Sequence, residues 1–330
     1  MNEKPDNITK PDDLVSEESV SNPSKAIDSL DDTTFIKKPV RRMIILGSIM
    51  VIVIIVVIVG AIYYISRRDS QTSTTSKTST SNSTSTTSSS GQEGLKSAKW
   101  SSDITITYSD TQLEYKSNGI PNHTRQVEYA LPDNGVRVPS AATAYAGTDP
   151  TKKQSYDYKI PIKPTKAVSK TKTSLGLIGV MISGAGLFNP YEGDNSTVAT
   201  ASNFTVKNAS GQDIAFLDSC SGHPTPMGQY HYHALPSCVT AQVDVANGPS
   251  HIIGVAFDGY PIYGDKDING KQVAVEQLDE CNGITSVTPE YPNSIYHYVL
   301  LNTNTNRSSI NCLSGVVDAS LTQMNPAMRM

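Results

Sequence analysis

From Met43 to Ile65 the chain reads MIILGSIMVIVIIVVIVGAIYYI, with no charge and no proline. No other segment restricts its possible structure so severely. At ~1.5 Å per residue, a helix of this run spans the ~30 Å hydrocarbon core of a bilayer. Inside lipid the backbone has to satisfy its own polar groups, so these β-branched residues are expected to be helical despite their strand propensity. Tyr63 and Tyr64 stand where an interfacial anchor belongs. A cleaved signal peptide fits poorly, because the run is long, begins well inside the chain and lacks a small-x-small exit. Lys37, Lys38, Arg41 and Arg42 precede the run, and Arg67 and Arg68 follow it. That imbalance favours a cytoplasmic N-terminus and an outer C-terminal part.

Composition shifts sharply on either side of this run. Residues 1–42 are polar, carry both signs of charge and show no sustained apolar period, so a disordered cytoplasmic tail is expected. Residues 66–95 contain a Ser/Thr tract of low complexity and read as a stalk that gives reach. Residues 96–330 have an ordinary globular mixture and enough length for a real core in an outer domain. The expected location is the cell membrane, crossed once. The net charge of -4 is spread along the chain. No basic stripe is present, which argues against a nucleic-acid partner. All four cysteines, Cys220, Cys238, Cys281 and Cys312, follow the apolar run, which suits two disulfides in an oxidising compartment better than the alternative of four buried free thiols in a cytoplasmic domain. Sequons occur at Asn122, Asn195, Asn203, Asn208 and Asn306, and matter only in a glycosylating host.

The outer domain reads as mostly β. Alternation appears in Asp103–Tyr108 (DITITY) and Tyr156–Ile162 (YDYKIPI). Short apolar runs at Leu175–Ile182, His251–Phe257 and Ile295–Leu301 suggest more deeply buried strands. Gly, Pro, Asn and Asp punctuate the intervals between them. Long helical periodicity is missing, and the best helical candidate is the brief segment Gln212–Leu217.

Five of the six histidines fall in short Gly-rich motifs: SNGIPNHT at Ser117–Thr124, DSCSGHPTPMGQYHYHALPSC at Asp218–Cys238, and YHY at Tyr296–Tyr298. Two of these stretches resemble each other. Asp218-x-Cys220-x-Gly222 matches Asp279-x-Cys281-x-Gly283, Tyr230-His231-Tyr232 matches Tyr296-His297-Tyr298, and Cys238 matches Cys312. Four cysteines permit three pairings, and this partial internal repeat favours Cys220–Cys238 with Cys281–Cys312.

On a strand, alternate residues share a face, so His231 and His233 point together and Tyr230 and Tyr232 point the other way. Two imidazoles on one strand face are a common beginning of a metal site. His223 is the expected third ligand, with His123 and His297 as further candidates. Asp218, Asp258 and Tyr263 are candidates for a supporting shell or pocket. Imidazoles suit Zn or Cu better than Ca or Mg. The plainer alternative is a polar sheet face with satisfied hydrogen bonds. His251 belongs to no repeated motif and reads as structural. Asp258-Gly259-Tyr260-Pro261-Ile262-Tyr263-Gly264 marks a tight turn that either presents Asp258 and Tyr263 to a pocket or closes a hairpin over the core.

These motifs together resemble those of the YHYH-domain family. The resemblance covers Trp100 to Asp318 and rests on SNGIPNH, Asp-x-Cys-x-Gly-His before Tyr-His-Tyr-His, Asp-Gly-Tyr-Pro-Ile-Tyr-Gly, and Leu-Asp-Glu-x-Asn-Gly before a second Tyr-His-Tyr. The chain departs from the pattern at Tyr296-His297-Tyr298-Val299, where relatives often carry a second histidine, and at Gly179–Phe188, which lacks an expected Asn-Gly. Any site is therefore expected to centre on the first copy. The resemblance implies homology and no particular activity.

Three functions follow from these residues. One is a metal-binding outer domain, with an open coordination position making it hydrolytic. A second is a metal-independent module whose tyrosines bind a cell-surface glycan or protein. A third is a structural or adhesive domain. Asp218, Asp258 and Glu280 are available as general bases. The sequence shows no Gly-x-Ser-x-Gly nucleophile elbow, phosphate-cradling loop or dinucleotide fingerprint. The metal-binding reading is favoured, with enzymatic activity left open.

Overall fold

The computed structural model describes residues 90–131, 145–201 and 205–322, all within the second of the chain's two compact units, Ser83–Met330. Met43–Ile65, the tail and most of the stalk lie outside the described residues. Among those described, no helix is long and apolar enough to cross a membrane.

Strands dominate, as the alternating patterns imply. Thr105–Tyr108, Gln112–Ser117 and Tyr156–Pro161 form a three-stranded antiparallel sheet. In the last strand Tyr156 and Ile160 are buried while Asp157 and Lys159 are exposed, the period of two that the sequence carries. Among the described residues there are two short α-helices, α1 (Ser90–Lys96) and α2 (Ser237–Val243). Leu95 of α1, assigned by sequence to the end of the stalk, is buried in the core.

The helix expected at Gln212–Leu217 is not formed. Asp213–Ala215 is a strand, antiparallel to Thr205–Lys207. Asn208 Oδ1 accepts the Ser210 and Gln212 amides, and Gly211 adopts φ +77°. This turn chemistry reverses the chain before a helical turn can begin.

The core is organised by an eight-stranded sheet. In chain order its strands are β1 (Leu177–Met181), β2 (Gly186–Phe188), β3 (Gly222–Pro224), β4 (Tyr230–Tyr232), β5 (Ile252–Ala256), β6 (Pro261–Tyr263), β7 (Gly283–Thr288) and β8 (Tyr291–Val299). Their spatial order is β3-β4-β2-β1-β5-β6-β8-β7. Both halves follow one path. An antiparallel pair (β1–β2 or β5–β6) is followed by a hairpin (β3–β4 or β7–β8), whose second strand runs parallel to β2 or β6.

The halves meet where β1 and β5 run antiparallel. Val180 pairs with Val255, flanked by Met181 with Gly254 and by Gly179 with Ala256. A pseudo-two-fold axis therefore passes between the two valines. Registers repeat across it: Leu187 pairs with Tyr232 as Ile262 pairs with Tyr298. The duplication is thus larger than the motif that first reveals it, because Ile178-Gly179-Val180 is the counterpart of Ile253-Gly254-Val255. A Cβ on Gly179 would lie 2.7 Å from the Val255 carbonyl oxygen, and one on Gly254 would lie 2.6 Å from that of Val180. The central approach leaves no room for a side chain at either position.

Hydrogen bonds tie the smaller sheet to the large one. Tyr115 Oη donates to the Met181 carbonyl at 3.2 Å, and Ser117 Oγ donates to that of Gly184 at 2.7 Å. Leu113, Tyr115 and Ile160 share one buried cluster with Val180 and Val255. The disulfides are Cys220–Cys238 and Cys281–Cys312, the pairing that the repeat favours. Each closes a loop around its own Tyr-His-Tyr strand and contributes ~3 kcal/mol on a chain-entropy account.

Candidate metal centre

The Asp-x-Cys-x-Gly motif is a side-chain-capped turn. Asp218 Oδ1 accepts the Cys220 and Gly222 amides at 2.8 and 3.2 Å. Asp279 Oδ1 accepts those of Cys281 and Gly283, both at 2.9 Å. The residue before each glycine is held at positive φ, 59° for Ser221 and 65° for Asn282. Tyr230 then crosses above Gly222 and donates to Asp218 Oδ2 at 2.7 Å. A Cβ on Gly222 would collide with that ring, so the motif's glycine makes space for its tyrosine. Tyr296 reaches Asp279 Oδ2 over Gly283 in the same manner, at 3.1 Å.

This turn leads into the β3–β4 hairpin, whose register sets His223 directly opposite His231. Cross-strand partners share a face, and so do residues two apart on one strand. His223, His231 and His233 are therefore brought to one face by strand geometry alone. Their ring centroids are 4.5 Å apart (His223–His231), 4.6 Å (His231–His233) and 5.2 Å (His223–His233). Tyr230 and Tyr232 project from the opposite face, as alternation requires.

The nitrogens converge. His233 Nε2 lies 2.8 Å from His231 Nε2 and 3.2 Å from His223 Nε2. The other ring nitrogens are anchored: His231 Nδ1 to the Gln229 carbonyl at 3.1 Å and His233 Nδ1 to the Asn189 carbonyl at 2.7 Å. A carbonyl oxygen only accepts, so both Nδ1 atoms carry hydrogen and both Nε2 atoms of the neutral rings are bare lone pairs. Two lone pairs facing each other at 2.8 Å repel unless a cation lies between them. A zinc ion at 2.0–2.1 Å from tetrahedral nitrogens spaces those nitrogens about 3.3 Å apart, which the 3.2 Å between His223 and His233 matches and the 2.8 Å between His231 and His233 falls short of. The donor set thus fits a metal ion.

The surroundings disfavour a proton in that role. The three histidines are only 2–5 % exposed. Burial pushes His233 down to about 4. Burial, with the neighbouring imidazoles adding to it, holds His223 and His231 well below the usual histidine range. Phe188 stacks on His231 with centroids 3.7 Å apart, and Phe216 lies 4.1 Å from His223. His223 Nδ1 is buried without a protein partner. Nearby in sequence, burial and the charge of Asp194 push the Glu192 carboxyl up to about 8.

Not every expected ligand joins this group. His123 lies on the other side of β4, where its Nε2 meets Tyr232 Oη at 2.6 Å. Its ring also approaches the Cys220 and Cys238 sulfurs, but these are bonded to each other. His297 occupies the position of His231 in the second half, far along the sheet order from β3 and β4. There Ile284 pairs with it as His223 pairs with His231, and Val299 stands in the place of His233. Ile284 and Val299 pack with Val273, Leu278 and Leu301 in an apolar cluster, so His297 has no imidazole partners. Asp218 is turned away from the triad and accepts from Tyr129 and Tyr230. Asp258 accepts Tyr298 Oη at 2.6 Å and the Gly315 amide at 2.8 Å. Tyr263 donates to Glu290 at 2.8 Å and lies against His297, centroids 4.8 Å apart, as Phe188 lies against His231. The contacts of these three residues lie outside the triad.

Phe188, Phe216 and the Gln229 and Asn189 carbonyls escaped the reading of the sequence. A backbone carbonyl has no signature in side-chain identity. Phe188 did have a signal, because it follows Ile178-Gly179-Val180 at the distance that separates Tyr263 from Ile253-Gly254-Val255.

Fold and site together define a β-rich, disulfide-stapled domain made of two copies of one four-strand unit, with a buried cluster of three imidazoles in the first copy. A family model described as YHYH protein matches residues 157–275 and 267–315. Residues 157–315 of the chain therefore form a YHYH-family domain. No curated protein and no solved structure matches it.

Proposed function

We propose that this chain is a membrane-anchored, extracytoplasmic metal-binding protein whose YHYH domain holds one ion on His223, His231 and His233. The observation that carries this reading is the convergence of three Nε2 atoms, two of them forced to be bare lone pairs by carbonyls behind their rings. Those carbonyls orient the imidazoles as second-shell partners do in metal sites. Zinc and copper both suit imidazole nitrogen. The anchor is the run Met43–Ile65, with the Ser/Thr tract as spacer, and the two disulfides suit an oxidising exterior.

The test is metal content of the purified 330-residue chain beside a His231→Ala/His233→Ala variant. One equivalent of zinc or copper, lost in a variant that keeps its circular dichroism, supports the site. Absence of metal after reconstitution with both ions would turn the histidines into scaffold.

A further inference from the structure

The triad's chemistry narrows the kind of ion, an inference that rests on the metal-binding reading above. All three ligands are neutral. Among the described residues, no carboxylate or thiolate joins their nitrogens within 4.8 Å. Behind the rings stand backbone carbonyls where many zinc sites place a carboxylate. Around them stand Phe188 and Phe216. An ion seated here keeps its full charge in surroundings of low polarity. The work of burying an ion rises with the square of its charge, so a divalent cation meets about four times the penalty of a monovalent one of equal size.

Coordination number points the same way. Zinc in protein sites is almost always four-coordinate, the fourth position being a protein ligand or water. Three imidazoles meet here, and the residues that carry them are 2–5 % exposed. Copper(I) is a closed-shell, monovalent ion that can be satisfied by three ligands, and copper is among the metals that imidazole suits.

We infer that His223, His231 and His233 form a three-coordinate copper(I) site. The test uses the metal-free 330-residue chain under anaerobic conditions. Copper(I) is supplied from a bicinchoninate complex in one series, and zinc(II) from a chromophoric chelator in another. The expected result is one equivalent of copper(I), bound at least a thousandfold more tightly than zinc, with X-ray absorption showing three nitrogen neighbours. His231→Ala/His233→Ala is expected to lose it. Zinc binding equal to or tighter than copper(I), or a fourth ligand on copper, overturns this inference and leaves the metal-binding reading standing. Failure of the folded chain to bind either ion overturns both, as does copper(I) binding that the double variant leaves unchanged.

Discussion

His231 and His297 occupy the same position in the two halves of one sheet, yet only His231 has imidazole neighbours. Each is the middle residue of a Tyr-His-Tyr strand, with Nδ1 3.1 Å from the carbonyl two residues earlier. Each lies beside an aromatic ring from the neighbouring parallel strand, Phe188 or Tyr263. The difference lies in two side chains: His223 and His233 in one half, Ile284 and Val299 in the other.

The equivalence makes a constructive prediction. Ile284→His together with Val299→His should rebuild the missing nitrogens around His297, raising metal content from one equivalent to two. Added to His231→Ala/His233→Ala, the same pair should restore one equivalent to a chain that otherwise binds none. Elemental analysis reads both results. A value that stays at one would show that the shared register does not extend to side-chain geometry.

Acid should destabilise the metal-free domain through its buried imidazoles. His233 and His297 are pushed from 6.5 down to about 4 by burial. Between these values the unfolded chain binds more protons than the folded one. Stability is therefore complete above about pH 6.5 and is lost as pH falls through 4, by up to about 3 kcal/mol for each group. His297→Gln removes one contribution without touching the triad, and its melting temperature should fall less between pH 7 and pH 5 than that of the parent.

Glu192 has the opposite sign. Its carboxyl is raised from 4.5 to about 8 by burial and by Asp194, and its Oε1 is buried without a partner. The unfolded chain releases this proton first, so the contribution is whole below pH 4.5 and disappears as pH rises through 8. Glu192→Gln should flatten the alkaline fall in stability. Parallel melting curves for parent and variant from pH 6 to pH 9 would contradict this assignment.

The tyrosine–aspartate contact should matter for stability and little for the metal. Tyr230→Phe leaves Asp218 with one hydroxyl donor, Tyr129. The expected loss is about 1–2 kcal/mol in urea unfolding. Metal affinity should stay within about twofold, since Tyr230 projects away from the triad. A loss of affinity beyond tenfold would mean that the hairpin needs this anchor to hold its register.

Much of the site could be read from local pattern. His231 and His233 had to share a face because strand side chains alternate, and the repeated Asp-x-Cys-x-Gly and Tyr-His-Tyr pointed to the disulfide pairing found. Both inferences rest on covalent order and short-range geometry, which a linear sequence carries in full. His223 was less certain, because its place opposite His231 depends on the register of a hairpin whose connecting loop allows several.

Tertiary structure decided the rest. Asp218 and Asp258 looked available for chemistry until the fold placed tyrosine hydroxyls on them. His123 and His297 stood as further candidates behind His223 until the fold put one behind β4 and the other in the far half. The sequence by itself determined which residues repeat, which alternate and which cysteines had counterparts. Only the assembled sheet determined which lone pairs meet, because that depends on registers set jointly by strands distant in the chain. The pairing of Val180 with Val255 and the seating of β4 beside β2 belong to that order of information.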